Sequence, residues 1–193
     1  MNLPTSQNNP QDAKRSEVDA ISEASGGEGH QYLTFTLGGE MFAAGIMRIK
    51  EILEFGQITP VPMMPEFIRG VLNLRGAVVP VIDLKVRFGG APNEVTKRTC
   101  VVILEVATAE GRQDIGIMVD TVSEVLEIPG SDIEPPPSFG ARIRADFIEG
   151  MGKVNEKFVI ILAVDRVLSV DELAMVSQAT GMSPEQLEST NRE

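Results

Sequence analysis

The chain repeats itself: five short segments of its first half recur in the same order in its second half. The separation between matches grows from about 71 to about 80 residues, as expected for a duplication followed by short loop insertions. We therefore predict two similar half-domains, each a small barrel, with a shared core and a groove where they meet. The matched segments are Gly45-Ile46-Met47 with Gly116-Ile117-Met118, Glu51-Ile52-Leu53-Glu54 with Glu124-Val125-Leu126-Glu127, Ile58-Thr59-Pro60-Val61-Pro62 with Ile133-Glu134-Pro135-Pro136-Pro137, Phe67-Ile68-Arg69-Gly70 with Phe147-Ile148-Glu149-Gly150, and Val78–Ile82 with Phe158–Leu162.

Apolar and polar residues alternate within the halves, which is typical of half-buried strands. Leu33, Phe35 and Leu37 share one face, and Gly38-Gly39 then supplies a tight hairpin turn. Two more hairpins are predicted, and the segment 46–53 fits a helix or a strand. Short strands with frequent turns indicate an all-β barrel or sandwich with short helices. The further hairpins are Gly70–Asp83 around Arg75-Gly76 and Thr99–Val119 around Ala109-Glu110-Gly111, and Asp83 is predicted to cap a helix over Leu84–Phe88 that Gly89-Gly90 ends.

The two ends of the chain differ from the middle. Residues 1–30 are rich in Ser, Asn, Gln, Gly and Glu, and we predict a flexible arm. Residues 31–170 form the predicted β domain. Residues 171–193 form a predicted C-terminal helix and tail, in which Asp171 caps a helix over Glu172–Ala179.

Composition excludes several classes of protein. No apolar run reaches about 18 residues, so we expect no membrane insertion. The lone Cys100 excludes a disulfide framework and a multi-cysteine zinc site, which favours the reducing cytoplasm. With 28 acidic against 17 basic residues and a net charge of −11, the chain is not expected to bind nucleic acid.

Catalytic motifs are missing as well. His30 is the only histidine and falls in the predicted arm, where we do not expect it to be held rigidly enough to act as a base. The sequence contains neither a P-loop nor a dinucleotide fingerprint, and no metal-ligand cluster or cofactor is expected. Convergence of Glu51, Asp83, Asp120 and Glu124 would give a small carboxylate-dependent hydrolase, but a helix cap and surface charge are the stronger interpretations. We therefore expect a non-enzymatic protein–protein adaptor.

The segment from Phe67 to Leu84, FIRGVLNLRGAVVPVIDL, closely resembles the signature of the CheW-like domain family of bacterial chemotaxis coupling proteins. Resemblance extends over residues 31–168 and includes Ile49-Lys50-Glu51-Ile52 and Gly116–Asp120. It implies two SH3-like five-stranded β-barrels around a shared hydrophobic core. It also implies a cytoplasmic scaffold at receptor arrays on the inner face of the membrane, linking the cytoplasmic tips of methyl-accepting chemoreceptors to the regulatory domain of the histidine kinase CheA. An adaptor of a non-flagellar chemosensory pathway, controlling pili or a second messenger, is the alternative.

The resemblance also implies roles for individual residues. Receptor docking is implied for the apolar Ile49, Val122 and Val125 and for Glu51, with core packing the alternative for the apolar three. Kinase binding is implied for Ile58, Arg75 and Phe139, and Glu51 is expected to pair with Arg75 or to meet the receptor. Arg142 and Arg144, near Phe139, receive no role.

Overall fold

The computed structural model describes residues 29–108, 111–137 and 143–167, in which eleven strands form two sheets. Two short α-helices and three 3-10 turns connect the strands. The strands are β1 (His30–Leu37), β2 (Glu40–Gly45), β3 (Ile49–Glu54), β4 (Ile68–Leu74), β5 (Ala77–Asp83), β6 (Cys100–Thr108), β7 (Gly111–Val119), β8 (Thr121–Ile128), β9 (Ile133–Glu134), β10 (Ile148–Val154) and β11 (Lys157–Leu162). The α-helices are α1 (Leu84–Arg87) and α2 (Val164–Val167), and the 3-10 turns are η1 (Ile46–Arg48), η2 (Gly130–Asp132) and η3 (Ala145–Phe147).

The two sheets form two barrels that exchange strands between the sequence halves. Barrel 1 has the strand order β8-β1-β2-β11-β10-β9, and barrel 2 has the order β3-β6-β7-β5-β4. Barrel 1 thus combines β1 and β2 of the first half with the later strands of the second half. Barrel 2 combines β6 and β7 with β3, β4 and β5. The predicted all-β fold of two barrels is confirmed, and each barrel is built from both repeats. Barrel 2 has the five strands that the resemblance implied, whereas barrel 1 has a sixth, the two-residue β9.

Strand register confirms most of the sequence repeat. Gly70 lies opposite Val81 in the β4–β5 pair, as Gly150 lies opposite Ile161 in the β10–β11 pair. Ile52 and Val125 likewise occupy equivalent positions, in β3 against β6 and in β8 against β1. The match between Ile58–Pro62 and residues 133–137 also holds, because the bridge from Thr59 to Val71 corresponds to the pairing of β9 with β10.

The first predicted match, of Gly45 with Gly116, is two residues out of register. In the parallel pairs Ala43 lies beside Ile161 as Gly116 lies beside Val81, so Ala43 is the counterpart of Gly116. The two glycines have different structural roles. Gly45 ends β2 in open space, whereas a Cβ on Gly116 would lie 2.8 Å from the Val101 side chain.

Local turn chemistry follows the sequence predictions. The Gly38-Gly39 and Arg75-Gly76 turns both have positive φ angles, and the Asn73 side chain accepts a hydrogen bond from the Gly76 amide at 2.8 Å. Asp83 caps α1, since its carboxylate accepts from the amides of the second and third residues beyond it. The conformations of these turns and of the helix start are therefore determined by neighbouring residues.

The segment 46–53, which fitted either a helix or a strand, is divided between the two. Ile46–Arg48 forms the 3-10 turn η1, and β3 follows. In β3 the half-buried positions, Ile49, Glu51 and Leu53, alternate with exposed ones.

Three apolar clusters make up the core. The central cluster lies between the barrels and takes residues from β1, β2, β5, β6, β7, β10 and β11. Both faces of β1 are buried, with Phe35 in the central cluster and Tyr32 inside barrel 1. The interior of barrel 1 is formed by Tyr32, Ala43, Ile128, Val159 and Ile161, and that of barrel 2 by Val79, Val81, Val101, Ile103 and Met118. The predicted shared core is therefore present.

The ends of the domain differ slightly from the sequence prediction. The predicted arm extended to residue 30, whereas His30 already pairs with Ile128 in β1. Period-two patterning cannot reveal this, because the partner strand lies far away in sequence. The rest of the predicted arm and the predicted C-terminal helix lie outside the described residues. Within the described ranges, no helix is long and apolar enough to cross a membrane.

We expect Gly70→Ala to destabilise the fold by about 2 kcal/mol or more. Gly70 has φ 145°, and a Cβ there would lie 2.3 Å from the Thr59 carbonyl oxygen, so the substitution is both strained and sterically blocked. Chemical denaturation measures the loss. Gly45→Ala is the control, since Gly45 has φ −56° and open space around it. Equal stability of the two variants would contradict this account of Gly70.

Candidate functional site

An exposed ion pair joins the β4–β5 turn to β3. Arg75 has φ 53° at the tip of the turn, and its Nη2 lies 3.1 Å from the Glu51 Oε1. The Arg75 side chain is 81% exposed and that of Glu51 29%, so most of the guanidinium surface faces solvent. The predicted pairing of Glu51 with Arg75 is thus present. A guanidinium presented in this way still has donors for carboxylates or carbonyls of another protein.

The equivalent turn of the second half lacks this pair. Asn155 and Glu156, both at positive φ, replace Arg75 and Gly76 between β10 and β11. The duplicated scaffold therefore carries the arginine in its first half, on barrel 2.

A charge cluster lies along β3 beside this pair. Lys50 Nζ lies 2.7 Å from Asp114 Oδ1 and 3.1 Å from Glu105 Oε2, and Arg112 Nη1 lies 2.6 Å from the other Glu105 oxygen. The hydrogen bond from Lys50, then that from Arg112, lowers the pKa of the Glu105 carboxyl. The hydrogen bonds to Asp114 and Glu105 raise the pKa of Lys50. The cluster connects edge strand β3 to β6 and β7.

The apolar residues implied in receptor docking lie on two edge strands. Ile49 begins β3 at the edge of barrel 2, while Val122 and Val125 lie on β8 at the edge of barrel 1. Ile49 and Val122 are partly buried against the central core, so both take part in packing. Val125 is 47% exposed.

Ile52 is an exposed apolar residue on an edge strand, as Val125 is, and the sequence analysis did not identify it as a site residue. It is 43% exposed, follows a glutamate, and occupies the equivalent position of the repeat. The match of Glu51-Ile52-Leu53-Glu54 with Glu124-Val125-Leu126-Glu127 was the signal that could have identified it.

Ile58, implied in kinase binding, lines a pocket at one end of barrel 2. The pocket has a volume of about 440 Å³. Its lining is Phe55, Gly56, Ile58, Pro60, Glu66, Ile68 and Arg69. Ile58 itself is half-buried and packs against the interior of barrel 2. Phe139, the other apolar residue implied in kinase binding, lies outside the described residues.

A larger cavity of about 630 Å³ lies where the start of β1, η1 and α2 approach one another. His30, Tyr32, Met47 and Arg166 contribute to its lining, and a salt bridge between Arg48 and Asp165 is part of its wall. Burial, followed by the nearby Glu149 carboxylate, raises the pKa of the Tyr32 phenol. None of the four residues implied in receptor docking lines this cavity. Sequence patterns gave no signal for it, because its walls come from distant segments.

Three of the four carboxylates of the hydrolase alternative have separate structural partners, and Glu124 is held through its backbone. Asp83 is fully buried, and its oxygens accept from backbone amides of α1 and of Asn93. Asp120 accepts from the Gly38 amide at 2.7 Å, Glu51 faces Arg75, and the backbone of Glu124 bonds to Thr34. In the part of the chain that the structure describes, no three His, Cys, Asp or Glu residues are placed to hold a metal ion.

Arg144, which had no role in the sequence analysis, is held locally. Its guanidinium lies 4.9 Å from the centre of the Phe147 ring and makes two hydrogen bonds to the Asp146 carboxylate, of 3.1 and 2.7 Å. These hydrogen bonds lower the pKa of Asp146. Arg142 lies outside the described residues.

Comparison with known proteins agrees with this architecture. Residues 31–172 match the sequence model of the CheW-like domain. The chain is 36% identical over 148 residues to the chemotaxis protein CheW of Klebsiella aerogenes, covering 77% of this chain and 87% of that protein. It is 29% identical over 140 residues to protein FrzA of Myxococcus xanthus, covering 72% and 84%. The crystal structure of the scaffolding protein TtCheW from Thermoanaerobacter tengcongensis superposes with a TM-score of 0.67 at 35% identity, covering 75% of this chain and 90% of that one.

We expect stability to fall in acid partly through Glu105. Because its folded pKa lies below the unfolded value of about 4.3, its contribution is present above that pH and is lost as the pH falls through the folded pKa. Melting temperatures of Glu105→Gln should therefore depend less on pH between about 6 and 3 than those of the wild type. Glu54→Gln, on the exposed face of β3, is the control. An unchanged pH profile in Glu105→Gln would contradict the assignment.

Proposed function

This chain belongs to the CheW-like domain family, and from that membership we propose that it is a non-enzymatic adaptor coupling methyl-accepting chemoreceptors to the histidine kinase CheA. The observation that carries the proposal is the exposed Arg75 beside Glu51, at the tip of the hairpin whose sequence matches the family signature. We place its action at receptor arrays on the cytoplasmic face of the membrane.

On the kinase side, the proposed contact is the end of barrel 2. Ile58 lines the pocket there, and Arg75 belongs to the same barrel through the β4–β5 turn. Ile58 offers a half-buried apolar contact, and Arg75 offers the residue type that is enriched in binding hot spots. The regulatory domain of CheA is the proposed partner, and Phe139 is proposed to contribute a second contact.

On the receptor side, the proposed contact involves both edge strands. Val125 on β8 is exposed, while Ile49 and Val122 support the surface from the central core. Glu51 lies on β3 and adds a carboxylate. An apolar surface with a charged rim suits an amphipathic helical hairpin such as a receptor tip.

We expect Arg75→Ala to weaken binding of the CheA regulatory domain about tenfold, because the variant loses the guanidinium and its donors. Surface substitutions of this kind change the free energy of unfolding by no more than about 0.5 kcal/mol. Calorimetric titration measures the affinity and thermal denaturation the stability. Arg112→Ala is the matched control, since Arg112 is 78% exposed and pairs with the Glu105 carboxylate on the neighbouring strand β6. A large fall in melting temperature would show that Arg75 is structural.

We expect Val125→Asp to reduce binding of a receptor cytoplasmic fragment, because a charge would replace an exposed apolar contact on β8. The control is Val95→Asp, which alters a valine that is 49% exposed in the segment between α1 and β6. Titration of the fragment should show at least about a tenfold difference between the two variants. Wild-type protein that binds neither the receptor fragment nor the kinase domain, with both partners folded, would reject the proposed function.

A further inference from the structure

Arg87, the last residue of α1, contacts two phenylalanines that occupy equivalent positions in the two halves of the duplication. Its guanidinium carbon lies 4.9 Å from the ring centre of Phe67 and 4.8 Å from that of Phe147. The two phenylalanines are counterparts: the Phe67 carbonyl accepts from the Asp83 amide, as the Phe147 carbonyl accepts from the Ala163 amide. Phe67 precedes β4 of barrel 2, and Phe147 precedes β10 of barrel 1.

A hydrogen bond adds to this contact between barrels. Arg87 Nε donates to the Val167 carbonyl at 2.7 Å, and Val167 is the last described residue of α2, as Arg87 is the last residue of α1. Register makes the two residues counterparts, because α1 follows β5 and α2 follows β11 at equivalent positions. A residue that touches its own counterpart in a duplicated fold lies where the two halves meet. Arg87 therefore contributes both to its own barrel and to the other.

The chemistry of this contact requires arginine. A planar guanidinium can stack on aromatic faces while its edge donates hydrogen bonds, and a positive charge is favourable at the carboxyl end of a helix. A lysine ammonium keeps the charge but not the planar fork. Arg87 is half-buried and Phe147 is 3% exposed, so solvent screens these contacts only in part.

The contact is anchored in the central core by aromatic packing. Phe88, the next residue along the chain, lies 6.1 Å from Phe147 and 5.9 Å from Phe42, measured between ring centres. Phe42 in turn stacks on Phe35 at 6.2 Å. Movement of Arg87 away from Phe147 would therefore disturb packing between the barrels.

We propose that Arg87 is a positioning residue that fixes the orientation of the two barrels and thereby aligns the receptor surface. This role rests on the proposed function, in which receptor docking uses β3 of barrel 2 and β8 of barrel 1. Of the three residues proposed to bind the kinase, Ile58 and Arg75 belong to barrel 2, and Phe139 falls in sequence between β9 and β10 of barrel 1, so the kinase contact depends mainly on barrel 2. Loss of Arg87 should thus affect the two partners differently, whereas general destabilisation should affect both.

Affinities measured separately for the receptor fragment and for the kinase domain test whether loss of Arg87 affects the two partners differently. Arg87→Met removes the fork and keeps an apolar stem, and it should weaken binding of a receptor fragment about fivefold or more while leaving affinity for the kinase regulatory domain within about twofold. Arg112→Met makes the same charge change on the exposed surface of β7 and should leave both affinities unchanged. An equal fall in both affinities for Arg87→Met would overturn the proposal.

A distance measurement tests barrel orientation without either partner. Spin labels at Glu54 on β3 and Lys153 on β10, both exposed, report the separation of the barrels in a Cys100→Ala background. We expect a broader distance distribution in Arg87→Met than in wild type and Arg112→Met. If Arg87→Met does not fold, Arg87→Lys provides the test and should also broaden the distribution. Unchanged distributions would overturn the positioning role, whereas failure of receptor binding in wild type would count only against the proposed function.

Discussion

The exchange of strands between the two repeats is the constraint on which the rest of the structure depends. Because β3 pairs with β6 and β8 pairs with β1, neither repeat contains all the strands of a barrel. Each repeat must therefore complete the other, and the central core forms between barrels that are already linked by the chain. The relative placement of the barrels is thus part of the fold itself. A surface that spans both barrels therefore has a geometry set by the fold.

The two barrels have structurally equivalent edges that carry different charged residues. Ile52 and Val125 are exposed apolar residues at equivalent positions, each after a glutamate. Yet Arg75 in the first half corresponds to Asn155 in the second, so a guanidinium meets the glutamate on barrel 2. Similar edges carrying different charges can recognise different partners. This asymmetry suits the proposed function, in which one adaptor binds two different proteins.

Local features were predictable because local chemistry determines them. The Gly38-Gly39 and Arg75-Gly76 turns and the Asp83 cap depend on neighbouring residues and follow from the sequence. Strand exchange could not be predicted in this way, because alternation identifies a strand and its buried face but not its partner. Ile49 and Val122 are partly buried against the central core. Because that core depends on strand pairing, the sequence could not decide between docking and packing for these two residues. The contacts of Arg87 combine four separate segments and had no signal in the sequence.

The ion pairs at the surface and the arginine between the barrels have different physical consequences. An exposed pair such as Glu51–Arg75 contributes little to stability, so a partner can compete for either residue at small cost to the fold. Arg87 is half-buried between aromatic rings, where its contacts are less screened by solvent. The proposed coupling function needs both properties. Recognition requires charges that can change partners, whereas transmission between two partners requires that the barrels carrying them keep one orientation.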